Sequence, residues 1–335
     1  MRVRFICIVS VILAVVLAAG GCGKKSEPVS GKAGSELKKV TLMLDWTPNT
    51  NHTGIYVAKE KGYFTEKGLD VEIIEPSQGG TNELVATGKA QFGVSYQEDV
   101  TMARASGVPI TSVAAVVQHN TSCFASKKQS GIASPRDFQG KRYGGWGSAS
   151  EEAVLKAVMK KDGADPEKTK IINIGTSDFF TAINRDIDFA WIYYAWTGIE
   201  AEIRGVPLSV IMLKDLDTAL DYYTPVLIAG DQVIQKDPGL VRDFLEATSK
   251  GYSYAAENPE QSAEILLKQV PDLNPQLVRN SQKWISPRYK DDARRWGEQK
   301  KEVWQNYTAW MEKHNLLPGK VDVEKCFTNQ YLPGV

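Results

Sequence analysis

Between Val40 and Gly230, apolar runs of strand length alternate with amphipathic stretches of helix length, and this alternation confines the chain to an α/β architecture. VTLMLDW (Val40 to Trp46) reads as a strand, TGIYVAKEKGYF (Thr53 to Phe64) as a helix ended at Gly62, and LDVEIIEPS as the next strand. Gly79 and Gly80 close that strand; a helix follows with Thr81 as its N-cap and Gly88 as its stop. AQFGVSY is a strand, EDVTMARASG a helix, and ITSVAAVVQHN with SCFASKK a long extended path. A second set opens with GKRYGGWGSASEEAVLKAVMKKDG, in which a turn at Gly145 and Gly147 leads into a helix; Ser148 and Glu151 have capping-box spacing there. TKIINIGTSDFFTAI repeats strand, turn and helix with Ser177 as cap. DFAWIYYAW is a strand running into an aromatic turn, and YTPVLIAG is another extended path. From Asp237 the chain is helical, punctuated at Pro238, Pro259, Pro271, Pro275 and Pro287.

This order predicts two mostly parallel α/β lobes joined by two crossings, one near His119 to Phe124 and one near Tyr222 to Leu227. The expected first lobe is residues 38–121 with 225–335, and the second is residues 122–224. A ligand would lie outside the carboxyl ends of the strands, in a cleft that closes by bending at the crossings.

Lys+Arg and Asp+Glu balance at 40 each, which leaves no electrostatic footprint for nucleic acid. Arg2 and Arg4 precede an apolar run from Phe5 to Leu17, then small residues and Cys22, the layout of a secretory signal (residues 1–22). The cysteine after small residues resembles a bacterial lipobox, although Ala19 stands where Leu is usual, and predicts Cys22 as a lipid-modified first residue that tethers the protein to the cell membrane. Residues 23–37 are polar, small and Pro/Gly-bearing and read as a flexible tether. Of the 4 cysteines, Cys123 and Cys326 remain for the folded part; they read as unpaired thiols, with pairing left open. The 3 histidines, His52, His119 and His314, lie too far apart to suggest metal-ligand spacing.

Three segments together resemble the NMT1/THI5-like family: LDWTPNTNHTGIYVAKEKGYFTEKGLDVEIIEP, GGTNELVATGKAQFGVSY and FLEATSKGYSYAAENPEQSAEIL. The resemblance extends over about residues 38–318 and implies a type II periplasmic-binding-protein fold serving an ABC importer. Within the family, the likeness is to lipoproteins that bind a thiamine pyrimidine precursor, N-formyl-4-amino-5-aminomethyl-2-methylpyrimidine or a close relative. It implies a monomeric receptor without a cofactor, whose partners are a permease and an ATPase subunit. Other members of the fold bind sulfonates, nitrate or riboflavin, so these stay as alternatives. Pyrimidine synthases on the fold use a histidine with pyridoxal phosphate; the cysteine cluster of such a synthase has no counterpart in DYYTPVLIAG, and a secretory signal would be out of place in it.

A flat aminopyrimidine calls for aromatic faces, a carboxylate or carbonyl for its amino group, and donors for its ring nitrogens. Trp46 follows the first strand and is a candidate wall; Asp45 either accepts from the amino group or caps the turn. Asn49 and His52 are candidate polar contacts, as are Gln97 and Glu98 in SYQEDV. In the second lobe the candidates are Trp146, Gly147, Tyr193, Tyr194, Glu200 and Tyr222. Strand alternation keeps Trp191 and Tyr193 on one face, and either Trp191 or Trp196 is expected in the core. Where this chain has Tyr194 and Ala195, relatives have an acidic residue and proline. An anion receptor would place Arg or Lys at the strand ends, which here are aromatic, amide and acidic.

Overall fold

The computed structural model describes residues 36–76, 80–175 and 177–334. The expected signal segment, Cys22, the tether as far as residue 35, and Gly79 lie outside the described residues. Val40, Leu42 and Leu44 point one way from a strand and are sealed by Phe92 and Phe244, whose rings stack at 3.8 Å. This burial of alternate residues fixes strand β1 (Lys38–Met43) against β2 (Leu69–Ile74) and β3 (Phe92–Ser95). With β4 (Ile110–Ala115) and β10 (Val226–Gly230) they form a sheet of order β2-β1-β3-β10-β4.

The second sheet has the order β7-β6-β8-β5-β9, from β5 (Ser122–Lys127), β6 (Arg142–Gly145), β7 (Lys170–Asn173), β8 (Phe189–Tyr193) and β9 (Leu208–Met212). Phe124, Phe138, Tyr143, Phe189 and Trp191 form its aromatic core. Both sheets are mostly parallel, as expected, with a single opposed strand in each. In the first, β10 runs antiparallel to β3 and β4; in the second, β5 runs antiparallel to β8 and β9. In each sheet the antiparallel strand is the one that has just arrived from the other lobe. A crossing strand enters from the hinge side, so it must run against the strands whose carboxyl ends face that side.

Some local expectations shift. The first helix stops at Glu60, Gly62 takes a left-handed φ of 74°, and a short helix resumes at Tyr63–Glu66. Gly80, not Thr81, is the N-cap of the Thr81–Ala86 helix, because the Thr81 hydroxyl donates instead to the Leu44 carbonyl. Asp178, not Ser177, caps the Phe179–Arg185 helix by accepting from Thr181 N–H. Cys123 and Cys326 are both buried free thiols.

The C-terminal helix Lys301–Lys313 reaches across the hinge. Trp304 packs with Met43, Val100 and Val226 of the first lobe, whereas Tyr307, Trp310 and Met311 pack with Leu220, Tyr222 and Leu213. The two crossings are also tied to each other: Asn120 N–H donates to Asp221 Oδ1 at 2.9 Å, and His119 Nδ1 meets Asp221 Oδ2 at 2.7 Å. That hydrogen bond, aided by the Asp221, Asp292 and Asp291 charges against partial burial, raises the His119 pKa. A raised folded pKa means the contribution to stability is complete below the unfolded value of about 6.5 and is lost as pH rises through the folded value. The expected result is a His119 ring titration above about 6.5 by NMR, returning toward it in Asp221→Asn.

Candidate functional site

The site begins with a carboxylate at the end of β1. Asp45 sits just past the strand, and its Oδ1 is 2.6 Å from His52 Nε2 while its Oδ2 accepts from Tyr96 Oη at 2.6 Å. The His52 side chain is fully enclosed. Its Nδ1 accepts from Asn49 N–H at 3.2 Å, so the ring proton belongs on Nε2 and points at Asp45. Burial opposes charge on Asp45, but attraction to the His52 ring and hydrogen bonds from His52 and Tyr96 outweigh it and hold the pKa below the usual carboxylate value.

The loop that carries these groups is fixed by its own amides and by distant helices. Asn49 Oδ1 accepts from Asn51 N–H, and Asn49 Nδ2 donates to Thr47 O. Tyr252 donates to Asn51 O at 2.6 Å, and Tyr289 to Thr50 O at 2.5 Å. Thr50 Oγ1 meets Ser281 Oγ at 2.6 Å, and Ser281 donates onward to Ala195 O, across the lobes. His52 therefore positions Asp45 and has both ring nitrogens engaged, while the buried Asn49 holds the loop and the His52 tautomer.

Tyr96 follows β3 and Tyr193 ends β8, so the carboxyl ends of two sheets supply two facing rings. Their centroids are 6.4 Å apart and the planes differ by 22°. The ring facing Tyr193 from the first lobe is Tyr96, a residue that sequence reasoning passed over in favour of Trp46, Gln97 and Glu98. Trp46 is 51% exposed and Trp146 45% exposed, so each lobe carries one open indole beside its strand ends. Against Tyr96, and not reaching Tyr193, lies a first-lobe cavity of about 500 Å³ lined by Asp45, Asn82, Glu83, Ser95, Tyr96 and Asp99.

Gln97 and Glu98 part company. Gln97 is fully buried; its backbone N–H donates to Tyr223 O, its Oε1 accepts from Tyr223 N–H, and its Nε2 donates to Val303 O. It is a strut between β3 and the return crossing, which corrects its placement as a ligand contact. Glu98 Oε1 accepts from Tyr222 Oη at 3.3 Å, while its Oε2 is enclosed and has no partner. Burial of the carboxyl, with the neighbouring Asp99 charge, raises its pKa to about 8. Tyr222 is itself buried against Tyr307 at 4.2 Å, so it steers Glu98 from behind.

The other second-lobe candidates separate the same way. A π-turn at Tyr194–Gly198 follows β8 and swings Tyr194 away from Tyr193, onto Trp284 at 5.2 Å and toward Glu202. Glu200 pairs with Arg204 one helical turn on, away from the ring pair. Trp191 is core, edge-on to Phe124 at 5.7 Å and to Trp146 at 5.4 Å, and Trp196 packs partly buried beside Tyr56 and Val278. Trp146 and Gly147 are held by Glu151, whose carboxylate accepts from both backbone N–H groups. Gly147 has φ +90°, which favours glycine.

Two α/β lobes with their strand ends meeting at a cleft define the periplasmic binding-protein fold. The alkanesulfonate-binding protein SsuA from Xanthomonas axonopodis pv. citri, bound to MOPS, has the same fold, with TM-score 0.66 over 88% of this chain and 99% of its own at 15% identity. The profile described as NMT1/THI5 like matches residues 49–262, and the chain belongs to that family. It is 28% identical to the formylaminopyrimidine-binding protein of Halalkalibacterium halodurans over 96% of this chain and 98% of that one. It is 29% identical to the 4-amino-5-hydroxymethyl-2-methylpyrimidine phosphate synthase of Legionella pneumophila, over 89% and 94%.

Removing the His52 ring should leave a buried carboxylate short of a donor. His52→Ala is expected to cost about 3 kcal/mol in denaturant unfolding. Because the folded Asp45 pKa is depressed, the stability it contributes is present above about pH 3.9 and lost as pH falls through its lower folded value. An acid-unfolding midpoint unchanged in Asp45→Asn would contradict this.

Proposed function

We propose that the chain is a solute receptor that captures a formylaminopyrimidine-type thiamine precursor in its cleft and presents it to the permease of an ABC importer. On this reading it works outside the cytoplasm, tethered through lipid on Cys22, and performs no chemistry on its ligand. The observation that carries the reading is the pair Tyr96 and Tyr193, one ring from each lobe, bordered by the Asp45 and Glu98 carboxyls. The outer rings of a three-layer aromatic stack stand about 7 Å apart, so a small opening of this pair admits one flat heterocycle. A ligand gripped from both sides favours the closed arrangement of the lobes, and the permease would read that arrangement.

Trp46, Trp146 and Gly147 then border the ligand, with Asp45, Glu98 and Tyr193 as its direct partners. The Asp45 carboxylate argues against a sulfonate or nitrate, which its like charge would repel. The relatives named as synthases raise an enzymatic reading on the same fold. Against it, both nitrogens of His52 are engaged within the protein and its side chain is enclosed behind Asp45.

Two measurements test the reading. In a thermal-shift screen, formylaminopyrimidine should stabilise the protein and an alkanesulfonate or riboflavin should not; stabilisation by the sulfonate alone overturns the ligand class. By calorimetry, Trp46→Ala and Tyr193→Ala should each weaken formylaminopyrimidine binding by roughly tenfold while the proteins remain folded.

A further inference from the structure

Glu98 is an odd group to leave in a binding cleft. Its Oε2 is shut off from solvent and lacks any hydrogen-bond partner, while its Oε1 is engaged only by Tyr222. A buried polar atom beside the neighbouring Tyr193 is likewise unpaired: Thr224 Oγ1, close to the Tyr193 phenol without closing a bond to it. Among the ionisable groups facing Glu98, the Asp99 charge disfavours a second negative charge, and the Tyr222 hydroxyl is the one side-chain donor to it. Asp99 is on its own helix; Tyr193 comes from β8, Tyr222 from the return crossing, and Tyr307 from the C-terminal helix. Asp45 and Glu83 add charge on the far side of Asp99. Among the described residues, no Lys or Arg contributes to this balance.

A buried carboxyl in such company is stable as the neutral acid, and the acid form differs from the carboxylate in recognition. A carboxylate only accepts; a carboxylic acid has one O–H donor beside one C=O acceptor. The edge of a 4-aminopyrimidine is the complement: a ring nitrogen that accepts, beside an amino group that donates. We infer that Glu98 stands protonated in the cleft and reads this edge with a paired donor and acceptor, Tyr222 fixing its Oε1 and leaving Oε2 free to carry the proton. The inference rests on the aminopyrimidine reading above and adds to it the protonation state of the recognising group.

The raised Glu98 pKa, about 8, agrees with this geometry. Since the protonated form binds, affinity is full below that value and falls as pH rises through it, by roughly tenfold between about pH 7 and 9.

Glutamine at this position keeps one donor and one acceptor in nearly the same shape and cannot ionise. Glu98→Gln is therefore expected to bind formylaminopyrimidine within about threefold of wild type and to lose the alkaline decline, whereas Glu98→Ala should weaken binding by roughly tenfold or more. Binding by wild type but a loss of tenfold or more in Glu98→Gln, with Glu98→Ala no worse, overturns the inference, because an ionised carboxylate would then be doing the recognising. Infrared difference spectra of the ligand-free proteins provide a test independent of ligand choice. Wild type minus Glu98→Gln at neutral pH should contain a carboxylic-acid C=O band that disappears above about pH 9. Its absence overturns the protonation claim; its presence together with no formylaminopyrimidine binding by wild type overturns the ligand reading and the edge recognition, while the buried acid stands.

Discussion

The cleft is organised around one carboxylate that the fold has taken out of water. Asp45 keeps its charge because a histidine and a tyrosine each spend a polar hydrogen on it. That requirement places Tyr96 with its ring edge at Asp45 and its face toward the second lobe, and it places His52 behind the loop and out of reach. The loop from Trp46 to His52 has little freedom, since Tyr252, Tyr289 and Ser281 hold its carbonyls and hydroxyl from helices more than two hundred residues later in the chain. A site residue and its support are thus drawn from opposite ends of the sequence.

Glu98 presents the converse case. It is buried beside Asp99, and burial with that charge outweighs the donors it has, Tyr222 and a backbone N–H. Two carboxyls within one cleft are pushed in opposite directions by their surroundings, Asp45 toward the charged form and Glu98 toward the neutral one. Such divergence is what gives chemically similar side chains different work.

The alternation of strands and helices, the two crossings and the cluster of polar and aromatic residues at strand ends were legible in the sequence because each is a local pattern. What escaped depended on partners far away or on geometry without a sequence signature. Gln97 reads as a strand-end amide, but Tyr223 and Val303 consume it. Tyr194 was grouped with Tyr193 because they are adjacent; the π-turn that separates them has no composition signal. Tyr96 stands within SYQEDV, and the sign of its role is its position directly after β3, one residue before the first helical turn. The single opposed strand in each sheet was also hidden, since strand direction depends on how the chain returns.

The return strand has a further consequence for how the chain is built. β10 lies between β3 and β4, so the first sheet has a gap at its centre until residues beyond 226 have been made. A nascent chain that ends inside the second lobe has β3 and β4 with no strand to join them, and neither the Gln97 strut nor the His119–Asp221 tie has its second half. The first lobe therefore cannot be finished until most of the chain has been made, and its sheet closes around a late strand.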